Sequence, residues 1–262
     1  MLFHGRQLFI HPEFESFFKA HSLATPEDVI RTWVKEPPDP ARRSRVVELR
    51  LPHAGVTAHL FLKTYDYAWP DRFRTLFVPA RVKREFRNLQ GLSKLGMSVP
   101  QPIAYGQTRS MGFVTCSFVL TKAIENAIDL RELADRKPAP FPLPSRRERR
   151  ALITTFARRL RRCHDDGWFI HTAFFKNLLL TKGYSGYEIH LIDVPFARIW
   201  RNRLRPEAGR LRDFACLAKG AAGFLTPGEQ MAFYLAYRAN SEKLEPSEKE
   251  FLRRVTIEAR SF

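Results

Sequence analysis

The spacing of apolar residues along this chain changes once, near residue 121, and that change limits the folds open to it more than any other feature. Before it the pattern is mostly that of strands. The run VVELRLP from Val46, the turn residues His53, Ala54 and Gly55, and the run VTAHLFLKTY are rich in β-branched residues and bounded by turn formers, which predicts a β-hairpin. Lys63 falls near the end of its second strand. After a loop holding Pro70 and Pro79, Val82, Phe86, Leu89 and Leu92 recur at helical spacing over 80–95, so an amphipathic helix ends at Gly96. Strands are predicted over 101–106 and 113–120. Upstream, a short helix is expected over 12–20, followed by the irregular, Pro-rich and Arg-rich stretch KEPPDPARRSR.

From Lys122 onward the period is mainly helical. A short helix is predicted over 129–134 and a long one over 147–164, whose apolar line is Leu152, Phe156, Leu160 and Cys163 and whose flanks carry Arg158, Arg159, Arg161 and Arg162. Two short strand-like runs, NLLLT and IHLIDV, flank the turn-like KGYSGY. Thr226, Pro227 and Glu229 form a capping-box start for a later helix. The expected fold class is α+β: a small β-rich lobe over 1–121, then a larger helical lobe over 122–262.

Composition excludes several classes. With 44% hydrophobic and 13% aromatic residues, 262 residues can bury a sizeable core, so disorder is not the main answer. A net charge of +17 exceeds what folding needs and points to a polyanionic partner such as nucleic acid, nucleotide or anionic lipid. Cys116, Cys163 and Cys216 are too few and too far apart for a disulfide framework or zinc knuckle, and no histidine pair has metal-binding i, i+4 spacing. A reducing cytoplasm is the expected compartment. No signal peptide and no membrane span are expected, because no apolar run approaches the necessary length.

Glu85 falls between Leu89 and Leu92 on the apolar stripe of its helix, and a carboxylate there needs a partner. Lys63, on a strand predicted to pack against that helix, is the candidate. Kinases use such a strand-lysine and helix-glutamate pair to hold the nucleotide α- and β-phosphates. A second group follows the long helix: His164 to Gly167, a loop reaching Asn177 just before LLL, and Asp193 at the end of the next strand. Asn and Asp supply oxygen donors of the kind Mg²⁺ takes, and the order Lys, Glu, Asn, Asp is the kinase order.

The chain resembles the lipopolysaccharide core kinases, bacterial heptose and Kdo kinases with a protein-kinase-like fold. The resemblance covers roughly residues 46–240 and rests on LFLKTY, KREFRNLQGL, VPQPIAYG at 99–106, the loop ending KNLLL, LIDVPFAR, LRDFACL at 211–217 and AFYLAY at 232–237. It implies a bilobal fold and ATP- and Mg²⁺-dependent phosphorylation of an inner-core sugar, heptose or Kdo, at the cytoplasmic face of the inner membrane. In that reading ATP lies between the lobes, Lys63 clamps phosphates, Glu85 orients Lys63, and Asn177 with Asp193 holds Mg²⁺. Backbone groups of Thr121, Lys122, Ala123 and Ile124 receive adenine.

Two departures from the pattern stand out. Matching Gly167 and Asn177 without a gap puts Ile170 where the loop histidine belongs and Thr172 where the catalytic Asp belongs; a one-residue gap restores His171 but places Ala173 at the aspartate. The usual base is absent either way. No G-x-G-x-x-G stands in the small lobe. Positioning and charge neutralisation supply most of the rate in phosphoryl transfer, so a slow kinase in which His171 accepts the proton and a regulatory pseudokinase both stay open. Asp213 reads either as an acceptor for the loop backbone or as a helix cap. The arginine clusters at 42–45, 146–162 and 198–212 fit an anionic membrane surface bearing the glycolipid, and the lack of any nucleic-acid reader motif argues against DNA or RNA.

Overall fold

The computed structural model describes residues 4–35, 44–53, 55–67, 71–197, 206–240 and 243–262. The chain packs as two compact units, Met1–Gln90 with Pro100–Ala123, and Gly91–Val99 with Ile124–Phe262. In chain order the first contains β1 (Gly5–Ile10), a 3₁₀ turn (Pro12–Phe14), α1 (Glu15–Ala20), α2 (Pro26–Trp33), β2 (Ser44–His53), β3 (Val56–Tyr65), α3 (Asp71–Arg74), most of α4 (Arg81–Lys94), β4 (Pro102–Ser110) and β5 (Phe113–Lys122). The five strands form one antiparallel sheet in the order β1-β4-β5-β3-β2. Most of the Pro-rich stretch, 36–43, lies outside the described residues, as does Pro70.

Alternation along β3 sends its side chains to opposite faces. Leu60 and Leu62 join Phe17, Phe18, Val29 and Trp33, so α1 and α2 cover one face. Tyr65 joins Val82, Phe86, Tyr105 and Val119 on the other, under α4. The predicted α4 stripe of Val82, Phe86, Leu89 and Leu92 is buried throughout. Each such side chain contributes about 1.5–3 kcal/mol on leaving water. The sequence reading missed β1, an edge strand with weak alternation, and α2, although α2 announces itself with Pro26 at its first turn and a capping box in which Thr25 and Asp28 bond each other's amides.

The second unit holds β6 (Ala127–Asp129), α5 (Leu130–Ala134), α6 (Arg146–Asp165), β7 (Leu178–Gly183), β8 (Gly186–Leu191), α7 (Pro206–Ala221), α8 (Pro227–Arg238) and α9 (Pro246–Arg260). Its strands form an antiparallel β6-β7-β8 sheet. Ser145 and Thr226 close capping boxes on α6 and α8. α6 buries Phe156, Leu160 and Cys163 as its spacing predicts, but Ile153 and Ala157 complete that face while Leu152 is only half buried. The last turn of α4 belongs here because Gly91 lies against Trp168: a Cβ at that position would overlap the indole ring, which explains a glycine inside a helix. α7 is buried along most of its length, with Phe214 packed edge-on to Phe233, Tyr234, Tyr237 and Phe251.

Candidate active site

In the first unit, the register of β3 sets Lys63 opposite Val46 and Val119 and turns it to the α4 side. There its Nζ lies 3.2 Å from Glu85 Oε1, with 15% of the lysine side chain and 6% of the glutamate side chain exposed. Tyr65, two residues on and therefore on the same face, donates its hydroxyl proton to Glu85 Oε2 at 2.6 Å. Both carboxylate oxygens are thus engaged, and the Lys63 ammonium sits 5.0 Å from the centre of the Tyr65 ring. The buried pair stands because each charge has a partner; removing one partner of such a pair typically costs about 3–5 kcal/mol. The pairing of Lys63 with Glu85 was readable from spacing. The part played by Tyr65 was missed, although its i, i+2 relation to Lys63 was available.

The second unit gathers the loop that follows α6. Asp213 is fully buried in mid-α7 and accepts from the amides of Ile170 at 2.7 Å and His171 at 2.5 Å. It also meets His164 Nε2 at 3.0 Å, while His164 Nδ1 lies 2.7 Å from the Tyr237 hydroxyl. The helix-cap reading of Asp213 is therefore corrected: seven residues inside its helix, it caps nothing and anchors the loop. His171 has φ +62° and Asp193 φ +57°, left-handed conformations that a non-glycine residue adopts only when its surroundings impose them. The Asp213 bond and a Cys216 thiol donating to the His171 carbonyl at 3.7 Å supply that constraint at His171.

Thr172 donates its hydroxyl proton to the Asp193 carbonyl at 2.9 Å, and Asn177 Nδ2 donates to the Thr172 carbonyl at 2.8 Å. The Ile192 amide closes the group by donating to the Asn177 carbonyl at 2.9 Å. Thr172 thus brings a polar side chain to this cluster, whereas Ala173 is buried. Asn177 has spent its amide nitrogen, which leaves Oδ1, a hard oxygen, for a cation. With the Asp193 carboxylate on the adjoining segment, the donor set fits a divalent ion that takes few protein ligands, as Mg²⁺ does. Among the described residues no group of three or more His, Cys, Asp or Glu side chains could hold a metal. Burial pushes the thiols of Cys116, Cys163 and Cys216 up to about 12, so they stay protonated at neutral pH.

In the segment assigned to adenine, two backbone donors are engaged within the sheet unit. The Lys122 amide donates to the Gln101 carbonyl and the Ala123 amide to the His59 carbonyl, both at 2.9 Å, and Thr121 pairs with Phe61 and Pro102. The strand ladder has taken the amide protons of Lys122 and Ala123, so neither can donate to a base.

A β-sheet unit carrying a strand lysine bonded to a helix glutamate, with a helical unit presenting an Asn and Asp loop pair, defines a protein-kinase-like fold. The solved structure of WaaP in complex with acyl carrier protein has the same fold: 18% identity, 97% of this chain and 98% of that chain covered, TM-score 0.70. The chain belongs to the lipopolysaccharide kinase (Kdo/WaaP) family, whose model matches residues 33–237. It is also similar to the Rio2 kinase-ADP/Mg²⁺-phosphoaspartate complex from Chaetomium thermophilum (14% identity, 84% and 68% covered, TM-score 0.49) and to the PknI kinase domain of Mycobacterium tuberculosis (17%, 83% and 91%, 0.44). No curated protein sequence matches the chain.

Proposed function

We propose that this chain is an ATP-dependent kinase that phosphorylates a heptose or Kdo sugar of the lipopolysaccharide inner core. Membership of a kinase family supports the reaction class. The observation that carries the nucleotide reading is the Lys63, Glu85 and Tyr65 arrangement, in which a fixed carboxylate presents an ammonium with three N–H donors. Lys63 would bond the α- and β-phosphates, and Asn177 Oδ1 with the Asp193 carboxylate would hold Mg²⁺, whose charge neutralises the phosphates. The adenine contact would fall on carbonyls of 121–123 and on the backbone of Ile124. The sugar hydroxyl oxygen attacks the γ-phosphorus, the bond to ADP oxygen breaks, and the hydroxyl proton goes to His171 or to water. A membrane-anchored acceptor would bring the protein to the cytoplasmic face of the inner membrane; no helix among the described residues is long and apolar enough to cross it.

Thr172 favours a second reading, a regulatory pseudokinase, because its hydroxyl proton is committed to the Asp193 carbonyl and it cannot serve as a base. Losing a general base typically costs about 10²–10⁴-fold in rate. The two readings share the nucleotide site and part at the acceptor. Mg·ATP at about 100 times its dissociation constant should raise stability by about 2.7 kcal/mol, and the shift should vanish in Asp193→Ala. No shift in the native protein sinks both. Label transferred from γ-labelled ATP to lipopolysaccharide core establishes the kinase; nucleotide binding without transfer establishes the pseudokinase.

The partner named in the WaaP structure enters this reading through one feature of the second unit. A cavity of about 460 Å³ is lined by apolar side chains including Leu133, Phe156, Phe175, Leu178, Phe214 and Phe233. Such a space suits an aliphatic chain, and we extend the reading to an acyl chain delivered by an acyl carrier protein. Acylated carrier protein should raise the thermal midpoint of this chain and unacylated carrier should not. Equal effects would remove the cavity from the account.

A further inference from the structure

The sequence 71–79, DRFRTLFVP, leaves three large apolar side chains in water within six residues: Phe73 at 46%, Phe77 at 78% and Val78 at 40% exposure. They form a patch and are not scattered. The Phe73 ring lies 5.9 Å from Phe77 and 6.4 Å from Phe113. Arg109 ties this segment to the turn between β4 and β5 by donating to the carbonyls of Thr75 at 2.6 Å and Gly112 at 2.7 Å, and Thr75 Oγ1 accepts the Val114 amide. Met111, 67% exposed, sits in that turn next to Gly112. Two anchored loops therefore hold apolar side chains out of the protein, an arrangement a water-facing surface does not need.

Cations surround the patch. Arg72 lies 5.9 Å from the centre of the Phe113 ring, and Arg74 is exposed beside it. Phe77, Val78, Lys83 and Arg109 line a recess of about 350 Å³. Burial first, and then the charges of Arg87 and Arg109, push the Lys83 ammonium below its ordinary range, as expected where like charges are held together. Asp71, the carboxylate of the segment, is paired with Arg81 at 2.9 Å and Arg74 at 3.7 Å. Aromatic side chains beside a surplus of cations over the single carboxylate Asp71, together with a cationic recess, complement one environment, the headgroup layer of an anionic leaflet.

We infer that this face of the first unit is a membrane-contact surface, with Phe73 and Phe77 entering the interfacial layer and the Lys83–Arg109 recess receiving the phosphate of an anionic lipid. The inference deepens the peripheral-membrane part of the proposed function and rests on it. This surface lies on none of the three arginine clusters, 42–45, 146–162 and 198–212, that the sequence singles out.

The test is sedimentation of the full chain with phosphatidylcholine vesicles, with and without phosphatidylglycerol. The protein should partition onto the anionic vesicles only. Phe77→Ala should weaken partitioning by about tenfold and Lys83→Gln by about fivefold, while Arg150→Gln, the same charge change on α6, should leave it within about twofold. The thermal midpoint and its Mg·ATP shift serve as the fold control. Patch variants that bind like the native protein overturn this surface and leave the membrane reading standing. Failure of the native protein to bind anionic vesicles overturns both, and neither result touches the nucleotide site. Equal loss from Arg150→Gln would mean that net charge alone drives binding, and would also overturn the proposal.

Discussion

Lys63 is a half-buried and Asp213 a fully buried charged residue, and they carry different weights. Lys63 faces Glu85 from a strand, and the proposed function assigns its ammonium to the nucleotide phosphates. Lys63→Ala is expected to weaken Mg·ATP binding by about tenfold or more, a loss of at least about 1.4 kcal/mol, while far-UV circular dichroism stays native. Unchanged affinity in a calorimetric titration would remove Lys63 from the site. Asp213 instead satisfies three donors at once, the amides of Ile170 and His171 and the ring of His164. Asp213→Asn keeps one acceptor oxygen and turns an NH₂ group toward donors. Breaking such a buried network costs about 3–5 kcal/mol. At about 2–4 °C per kcal/mol for a chain of this size, the thermal midpoint should fall by roughly 6–20 °C. A drop under about 2 °C would show that the loop holds itself without Asp213.

At the scale of elements, the β7–β8 hairpin carries the clearest pH dependence. Burial pushes the imidazole of His190 below its ordinary value of 6.5, with Glu188 opposing the shift and Arg159 adding to it. Burial raises the Glu188 carboxyl, but hydrogen bonds from Ser98 and Arg159 outweigh it and hold that group below 4.5. Both folded-state values are depressed, so the unfolded chain binds more protons as pH falls and each contribution is lost toward acid. His190 acts below 6.5 and Glu188 below 4.5. Between about pH 7 and pH 5 the native midpoint should fall more than that of His190→Asn. Parallel curves for the two proteins would assign the acid loss to another group.

For the whole molecule, a net charge of +17 leaves nucleic acid as the rival polyanion. Phosphate contacts alone give dissociation constants of about 10⁻⁴–10⁻⁶ M at physiological salt, with a steep salt dependence. A fluorescent oligonucleotide should therefore bind no tighter than micromolar at that salt and fall away as salt rises. Length-dependent nanomolar binding would reverse the preference for a membrane glycolipid. Family membership over 33–237 places the strand lysine, the helix glutamate and both loop residues inside the matched region.

The change from strand to helical spacing was legible in the sequence because periodicity is a local consequence of backbone geometry. The Lys63 and Glu85 pair was legible for a related reason, since each occupies a position defined by its own strand or helix, whereas the metal roles of Asn177 and Asp193 rest on the family resemblance. Asp213 was not, because its partners lie 42 and 43 residues upstream and local pattern cannot separate a buried acceptor from a cap. Nor could spacing choose Thr172 over Ala173, rank Tyr65 as the third member beside Lys63, or reveal that the adenine segment had spent two amides on the sheet. Those outcomes depend on which distant groups satisfy each buried donor and acceptor. Sequence by itself determined the strands of both hairpins, α4, α6 and the order of the charged residues. Only tertiary structure decided their hydrogen-bond partners and which cations stand beside exposed aromatic rings, because burial and pairing are properties of the closed chain.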